Sequence, residues 1–93
     1  MPSQVRASHI LVGTEAQAMN LLGQIRGGSD FGVLAKAHSQ CPSGQNGGDL
    51  GFFSRGQMVP EFERAAFSMQ KGQVSNPVKT QFGYHLIMVT DLK

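Results

Sequence analysis

Two stretches of the chain alternate with the period of a β-strand. From Val5 to Val12 the odd positions Val5, Ala7, His9 and Leu11 fall on one face, and Ser8, Ile10 and Val12 on the other. From Tyr84 to Thr90 the faces are His85, Ile87 and Val89 against Tyr84, Leu86 and Met88. Both faces of the first run are mostly apolar, which places it centrally in a sheet. Gly13 ends it. Val74 to Thr80 also has strand character, but Pro77 confines any strand there to an edge or a short length.

Helical spacing fills the region after Gly13. Ala18, Leu21, Leu22 and Ile25 follow an i, i+3, i+4, i+7 pattern behind Thr14 and Gln17, which resemble a capping box, and Gly27-Gly28 closes the helix. Ser29 or Asp30 caps a second, shorter helix on which Phe31, Leu34, Ala35 and His38 share a face, with His38 as a last-turn cap. Ser39 to Asp49 is dense in turn formers and reads as loop, with neither helix nor strand.

The stretch from Gly47 to Phe62 holds the joints of the fold. Leu50, Phe52 and Phe53 make a brief strand in which Gly51 predicts a bulge or a close backbone approach. After a turn at Ser54 to Gly56, Pro60 suits a first helical position, and Glu61 and Glu63 favour the positive helix N-terminus. That helix is expected to run to about Met69, with Phe62, Ala66 and Met69 on one side and Phe67 pointing elsewhere. Met58 and Phe62 can line one apolar pocket, because glycine-flanked loops carrying large hydrophobes suit a cleft better than a core. Strand, helices, strand, helix and a final strand pair joined by short turns give an α+β fold with an antiparallel or mixed sheet.

Composition narrows the function classes. A chain of 93 residues suits one domain over 1–93 with a single modest core. The formal charge of +2 comes from basic residues spread singly, so no specific nucleic-acid partner is expected. The single cysteine cannot form an internal disulfide and fits a reducing compartment. With no apolar run of membrane-spanning length and no signal-peptide pattern at the N-terminus, the expected location is the cytoplasm.

Four polar side chains could carry chemistry. His9 and His85 each lie amid apolar neighbours, where a ring nitrogen needs a partner, and each could supply the other's. Satisfied core histidines are the plain alternative. Zinc fits less well, since no Cys or His stands at ligand spacing and only Cys41 could join the pair. Cys41, before Pro42, is either an inert small hydrophobe or a nucleophile. Thr80 ends a strand, where a structural hydroxyl bond is the plain expectation. Met58 and Phe62 could equally be ordinary core.

Taken together the motifs resemble the parvulin family of peptidyl-prolyl cis/trans isomerases over nearly the whole chain. They are His9-Ile-Leu-Val, Phe31-Gly-Val-Leu-Ala-Lys-Ala-His-Ser, Gly48-Asp-Leu-Gly-Phe-Phe-Ser-Arg-Gly-Gln-Met, Val59-Pro-Glu-Phe-Glu-Arg-Ala-Ala-Phe and Phe82-Gly-Tyr-His-Leu-Ile. The resemblance implies a parvulin (FKBP-like) fold, a four-stranded antiparallel sheet wrapped by helices with the two histidines side by side. It places His9, Cys41, Thr80 and His85 at the catalytic positions and Leu50, Met58 and Phe62 around the proline ring, with Ser43 on the Cys41 loop as a further candidate. It implies a cofactor-free monomer acting on proline-containing peptides and on unfolded or partly folded proteins. The phosphate-directed branch carries a long basic loop after the first strand. Here that connection is Gly13-Thr14-Glu15, so no phosphate requirement is expected.

Such a catalyst needs no nucleophile. The barrier to peptide rotation, roughly 18–20 kcal/mol, is amide resonance, which is lost in the twisted transition state. An apolar ring pocket beside a preorganised polar wall suffices, the wall being the His9–His85 pair tied to Thr80 and Cys41. Two other functions fit less of the pattern: a proline-segment-binding, chaperone-like module with incidental catalysis, and a Cys41–His thiol enzyme.

Overall fold

A computed structural model describes residues 3–93. The elements in order are β1 (Gln4–Val12), α1 (Glu15–Arg26), α2 (Phe31–His38), a 3-10 turn (Pro42–Asn46), β2 (Asp49–Ser54), α3 (Pro60–Ser68), β3 (Val78–Thr80) and β4 (Gly83–Leu92). The four strands form one sheet in the order β2-β1-β4-β3, antiparallel throughout. The two runs with the clearest alternation, β1 and β4, are the central strands, and the Pro77 segment supplies the short edge strand β3.

Alternation along β1 and β4 feeds two apolar layers. Val5, Ala7, Ile87 and Val89 pack with Phe53 beneath α3 on one face. Ile10, Val12 and Leu86 pack beneath α1 and α2 on the other. Ile10, Leu86 and Ile87 are wholly buried. Each such side chain contributes about 1.5–3 kcal/mol relative to an exposed one. Because both sheet faces are covered, a polar side chain on the central strands must find its partner inside the protein.

Local signals position the helices. Thr14 Oγ1 accepts from the Gln17 N–H at 3.2 Å, and Asp30 Oδ1 from the Val33 N–H at 3.0 Å. Pro60 occupies the first turn of α3. Gly51 sits at φ +70° where β2 carries an extra residue opposite β1, and a Cβ there would meet nothing within 4 Å. The bulge, not a close approach, is therefore what asks for glycine.

The structure departs from expectation in four places. The segment after Cys41 is not plain loop: Pro42–Asn46 winds into a 3-10 turn ended by Gly47 at φ +70°. Pro42 has no N–H to lose at the start of that turn, so a stretch rich in turn formers still makes a short helix. Only half of the capping box forms, since the Gln17 side chain swings toward Gly13 rather than back to Thr14. Phe67 does not leave the Phe62 side: both rings pack on Phe53, with centroids 6.0 and 5.9 Å away. A nine-residue helix lying across a twisted sheet presents a broad stripe, wide enough for both. His38 is exposed, and its side chain makes no hydrogen bond to a helix-end carbonyl among the described residues. The backbone N–H of Ser39 instead closes the helix on Ala35 O at 2.9 Å. Among the described residues, no helix is long and apolar enough to cross a membrane.

Candidate active site

The β1–β4 register makes His9 and His85 diagonal neighbours. His9 pairs with Ile87 and Leu11 with His85, and both imidazoles project under α3. Their Nδ1 atoms lie 3.0 Å apart, with the ring planes at 17°. Phe62 stands nearly perpendicular to both rings, at 81° and 82° with centroid separations of 5.5 and 5.4 Å, and fixes their tilt from above.

Each outer nitrogen has its own partner. His85 Nε2 lies 2.7 Å from Thr80 Oγ1, which also accepts the Phe82 N–H at 3.2 Å. His9 Nε2 lies 3.1 Å from Ser43 Oγ, whose hydroxyl donates to Cys41 Sγ at 3.3 Å. One set of protons satisfies the whole row. Thr80 donates to His85 Nε2, His85 Nδ1–H to His9 Nδ1, His9 Nε2–H to Ser43, and Ser43 to Cys41. Each imidazole then carries one proton and no charge. Burial pushes the His9 pKa down to about 4, helped by the neighbouring His85, and burial lowers His85 as well. The pair is neutral at physiological pH.

Cys41 therefore reaches the histidines through Ser43, which specifies the tie that the sequence left open. Among the described residues, Cys41 Sγ makes no hydrogen bond to an imidazole, the contact a cysteine nucleophile uses. A backbone loop holds Ser43 in place. The Gly48 N–H donates to Ser43 O at 2.8 Å, and the His9 N–H donates to Gly48 O at 3.0 Å. Gly48 has φ +85°, and a Cβ on it would lie 2.3 Å from His9 O. Only glycine lets this loop lie against β1.

Above the histidines opens a cleft of about 540 Å³, a size usual for small-ligand and peptide sites. Leu50 from the β2 bulge, Met58 from the turn and Phe62 from α3 form its apolar wall, with Cys41 and Pro42 on the opposite rim. All eight residues singled out in the sequence meet here: six line the cleft, Thr80 stands behind His85, and Ser43 behind His9. Sequence reasoning missed the apolar Leu11, Val59 and Phe82, and with them Gln40, Pro42 and Gln57. Leu11 was within reach, being two residues beyond His9 on the same strand face. Phe82 is 59% exposed on the β3–β4 turn, and nothing local marks it as a cleft residue. Among the described residues, no group of three or more His, Cys, Asp or Glu is placed to hold a metal ion.

The geometry agrees with the relatives of the chain. Foldase protein PrsA of Halalkalibacterium halodurans is 53% identical over 91 residues, covering 97% of this chain and 27% of its own. PrsA of Geobacillus kaustophilus is 54% identical over 89 residues, covering 95% and 32%. The chain thus spans about a third or less of these relatives. The crystal structure of the peptidylprolyl isomerase PrsA from Bacillus anthracis superposes with a TM-score of 0.97 at 44% identity, over 99% of this chain and 43% of that one. The solution structure of the parvulin of Nitrosopumilus maritimus gives 0.88 at 40% identity, over 98% of this chain and 99% of that one. The profile of the rotamase family, the PPIC-type peptidyl-prolyl isomerase domain, matches residues 9–91, and the chain belongs to that family of parvulins.

Proposed function

We propose that this chain accelerates cis/trans rotation about Xaa-Pro bonds in unfolded or partly folded polypeptides, without cofactor and without a phosphate on the substrate. The observation that carries it is a neutral, hydrogen-bonded histidine pair flooring an apolar cleft walled by Leu50, Met58 and Phe62. In the planar amide, resonance places negative charge on the carbonyl oxygen, and that charge fades as the bond twists. A cation beside the oxygen would stabilise the planar ground state and slow the rotation. A neutral pair, fixed by Thr80 on one side and Ser43 on the other, avoids that and needs no reorganisation at the transition state. Leu50, Met58 and Phe62 grip the proline ring and keep water from the carbonyl while the preceding residue swings.

The missing phosphate requirement follows from charge. Among the described residues, no Lys or Arg lines the cleft. The nearby Arg55 stacks on Phe67 at 4.4 Å and pairs with Glu63 at 3.8 Å. A phosphate dianion seeks several charge-assisted donors together, and one engaged arginine does not supply them. A cytoplasmic monomer is part of the same proposal. A half-buried free thiol suits a reducing compartment, and the exposed apolar side chains Met19, Val33, Phe52, Phe82 and Leu92 lie on separate elements.

Exchange NMR on a panel of short Xaa-Pro peptides, with substoichiometric protein, tests the activity. Faster exchange without metal, nucleotide or reductant is expected, and a phosphoserine before proline should bring no gain. Unchanged rates across the panel with folded protein would refute isomerisation, and a many-fold advantage for the phosphopeptide would refute the specificity. If the His9→Asn variant kept the full refolding effect on a proline-limited protein, the module would be a binder and not a catalyst.

A further inference from the structure

A second groove, of about 400 Å³, shares Gln40 with the cleft and lies between α1 and the end of β1. Its walls carry the carboxamides of Gln17, Asn20 and Gln24 from α1 and of Gln40, with His38 beside them. Val12 and Leu21, both nearly buried, contribute to its lining. Among the described residues, no Lys, Arg, Asp or Glu lines it. Gln24 Nε2 donates to Asn20 Oδ1 at 2.8 Å, which leaves the Asn20 amide hydrogens and the Gln24 carbonyl free to face a ligand. The Gln17 and Gln40 side chains make no hydrogen bond among the described residues. They converge on Gly13, where a Cβ would lie 3.9 Å from Gln17 Oε1 and 3.7 Å from Gln40 Nε2.

Gln40 lines both this groove and the cleft. Its backbone is pinned to β1, with its N–H donating to Leu11 O at 2.7 Å, so the residue stands at a fixed place between the two. We infer that the groove is an extended-chain subsite, which takes the main chain of the same polypeptide whose proline occupies the cleft. Gln17 and Gln40 each offer a donor and an acceptor, and the Asn20–Gln24 pair offers one of each between them, which is what successive peptide units require, and the pattern is indifferent to side-chain identity. An uncharged lining disfavours a nucleic acid or a phosphorylated ligand, both of which call for cations. A substrate long enough to cross Gln40 would gain hydrogen bonds that a tetrapeptide cannot reach.

The subsite takes its occupant from the isomerase reading, so its test separates the two. The double variant Gln17→Ala/Asn20→Ala changes two exposed α1 positions to the best helix former, and an unchanged melting temperature would show that the fold is intact. Isomerisation would be measured on a proline tetrapeptide and on two longer peptides, one extended before the proline and one after it. The expected result is an unchanged rate on the tetrapeptide and a fall in kcat/KM of about tenfold, through KM, on at least one extended peptide. Equal effects on all three peptides, or on none, would overturn the subsite. Titration of the labelled protein with the same extended peptides reads binding directly. Shifts of the Gln17, Asn20 and Gln24 side-chain amide signals are expected. Such shifts without catalysis would sink only the isomerase reading, whereas catalysis without them would sink only the subsite.

Discussion

Acid should destabilise this fold from just below neutrality, and His9 sets the window. An unfolded histidine binds its proton near pH 6.5, but burial, and then the adjacent His85, hold His9 down to about 4. Between these values the unfolded chain binds more protons than the native one, so stability falls as the pH falls. The slope approaches ~1.4 kcal/mol per pH unit, and the full window is worth about 3 kcal/mol, with His85 adding in the same direction. Against a typical domain stability of ~5–15 kcal/mol this is a large share. With a urea m-value of ~1–1.5 kcal/mol per molar, the midpoint should drop by about 2–3 M. Asp49 does not blur the effect. The Arg6 hydrogen bond lowers its pKa, so its contribution is lost only below the ordinary carboxylate value. The assay is urea unfolding followed by far-UV ellipticity, since the chain has no tryptophan, at several pH values from about 7.5 to about 4.5. His9→Asn should be less stable near neutrality but have a distinctly shallower pH slope. Equal slopes in the two proteins, or stability that rises on acidification, would refute a buried neutral pair.

Three other outcomes follow from named contacts. Met58→Ala strips apolar surface from the proline wall and should cost about 1–2 kcal/mol, roughly tenfold in kcat/KM, as read by exchange NMR on one good peptide. Cys41→Asp should keep substantial activity, because a carboxylate can accept the Ser43 hydroxyl as the sulfur does, while Cys41→Ala should lose roughly tenfold more. Complete loss in folded Cys41→Asp would reopen a covalent role for the thiol. Gly48→Ala should cost more than ~3 kcal/mol, combining a clash with His9 O and a left-handed φ, whereas Gly56→Ala, at φ +89° in open space, should cost only ~1 kcal/mol in thermal or urea unfolding.

What the sequence determined by itself is whatever depends on neighbours along the chain. Strand alternation assigned the faces of β1 and β4, helical spacing and Thr14 and Asp30 set α1 and α2, and Pro60 opened α3. These signals are local because side-chain direction and backbone hydrogen bonding repeat every two or every 3.6 residues. The motif order then carried the family and the identity of the candidate site residues. The tertiary structure decided how those residues connect. Only the docking of Gly48 against His9 O places Ser43 between Cys41 and the histidine, a relation across 34 positions that no periodicity encodes. Only the β1–β4 register makes His9 and His85 diagonal rather than opposite. Burial between α3 and the sheet then holds the pair neutral, and that depends on how much water the packed layers exclude. Phe67 shows the same limit from the other side. Its position on the helix suggested a different face, and the packing with Phe53 that draws it back is a contact between α3 and β2, invisible to any local pattern.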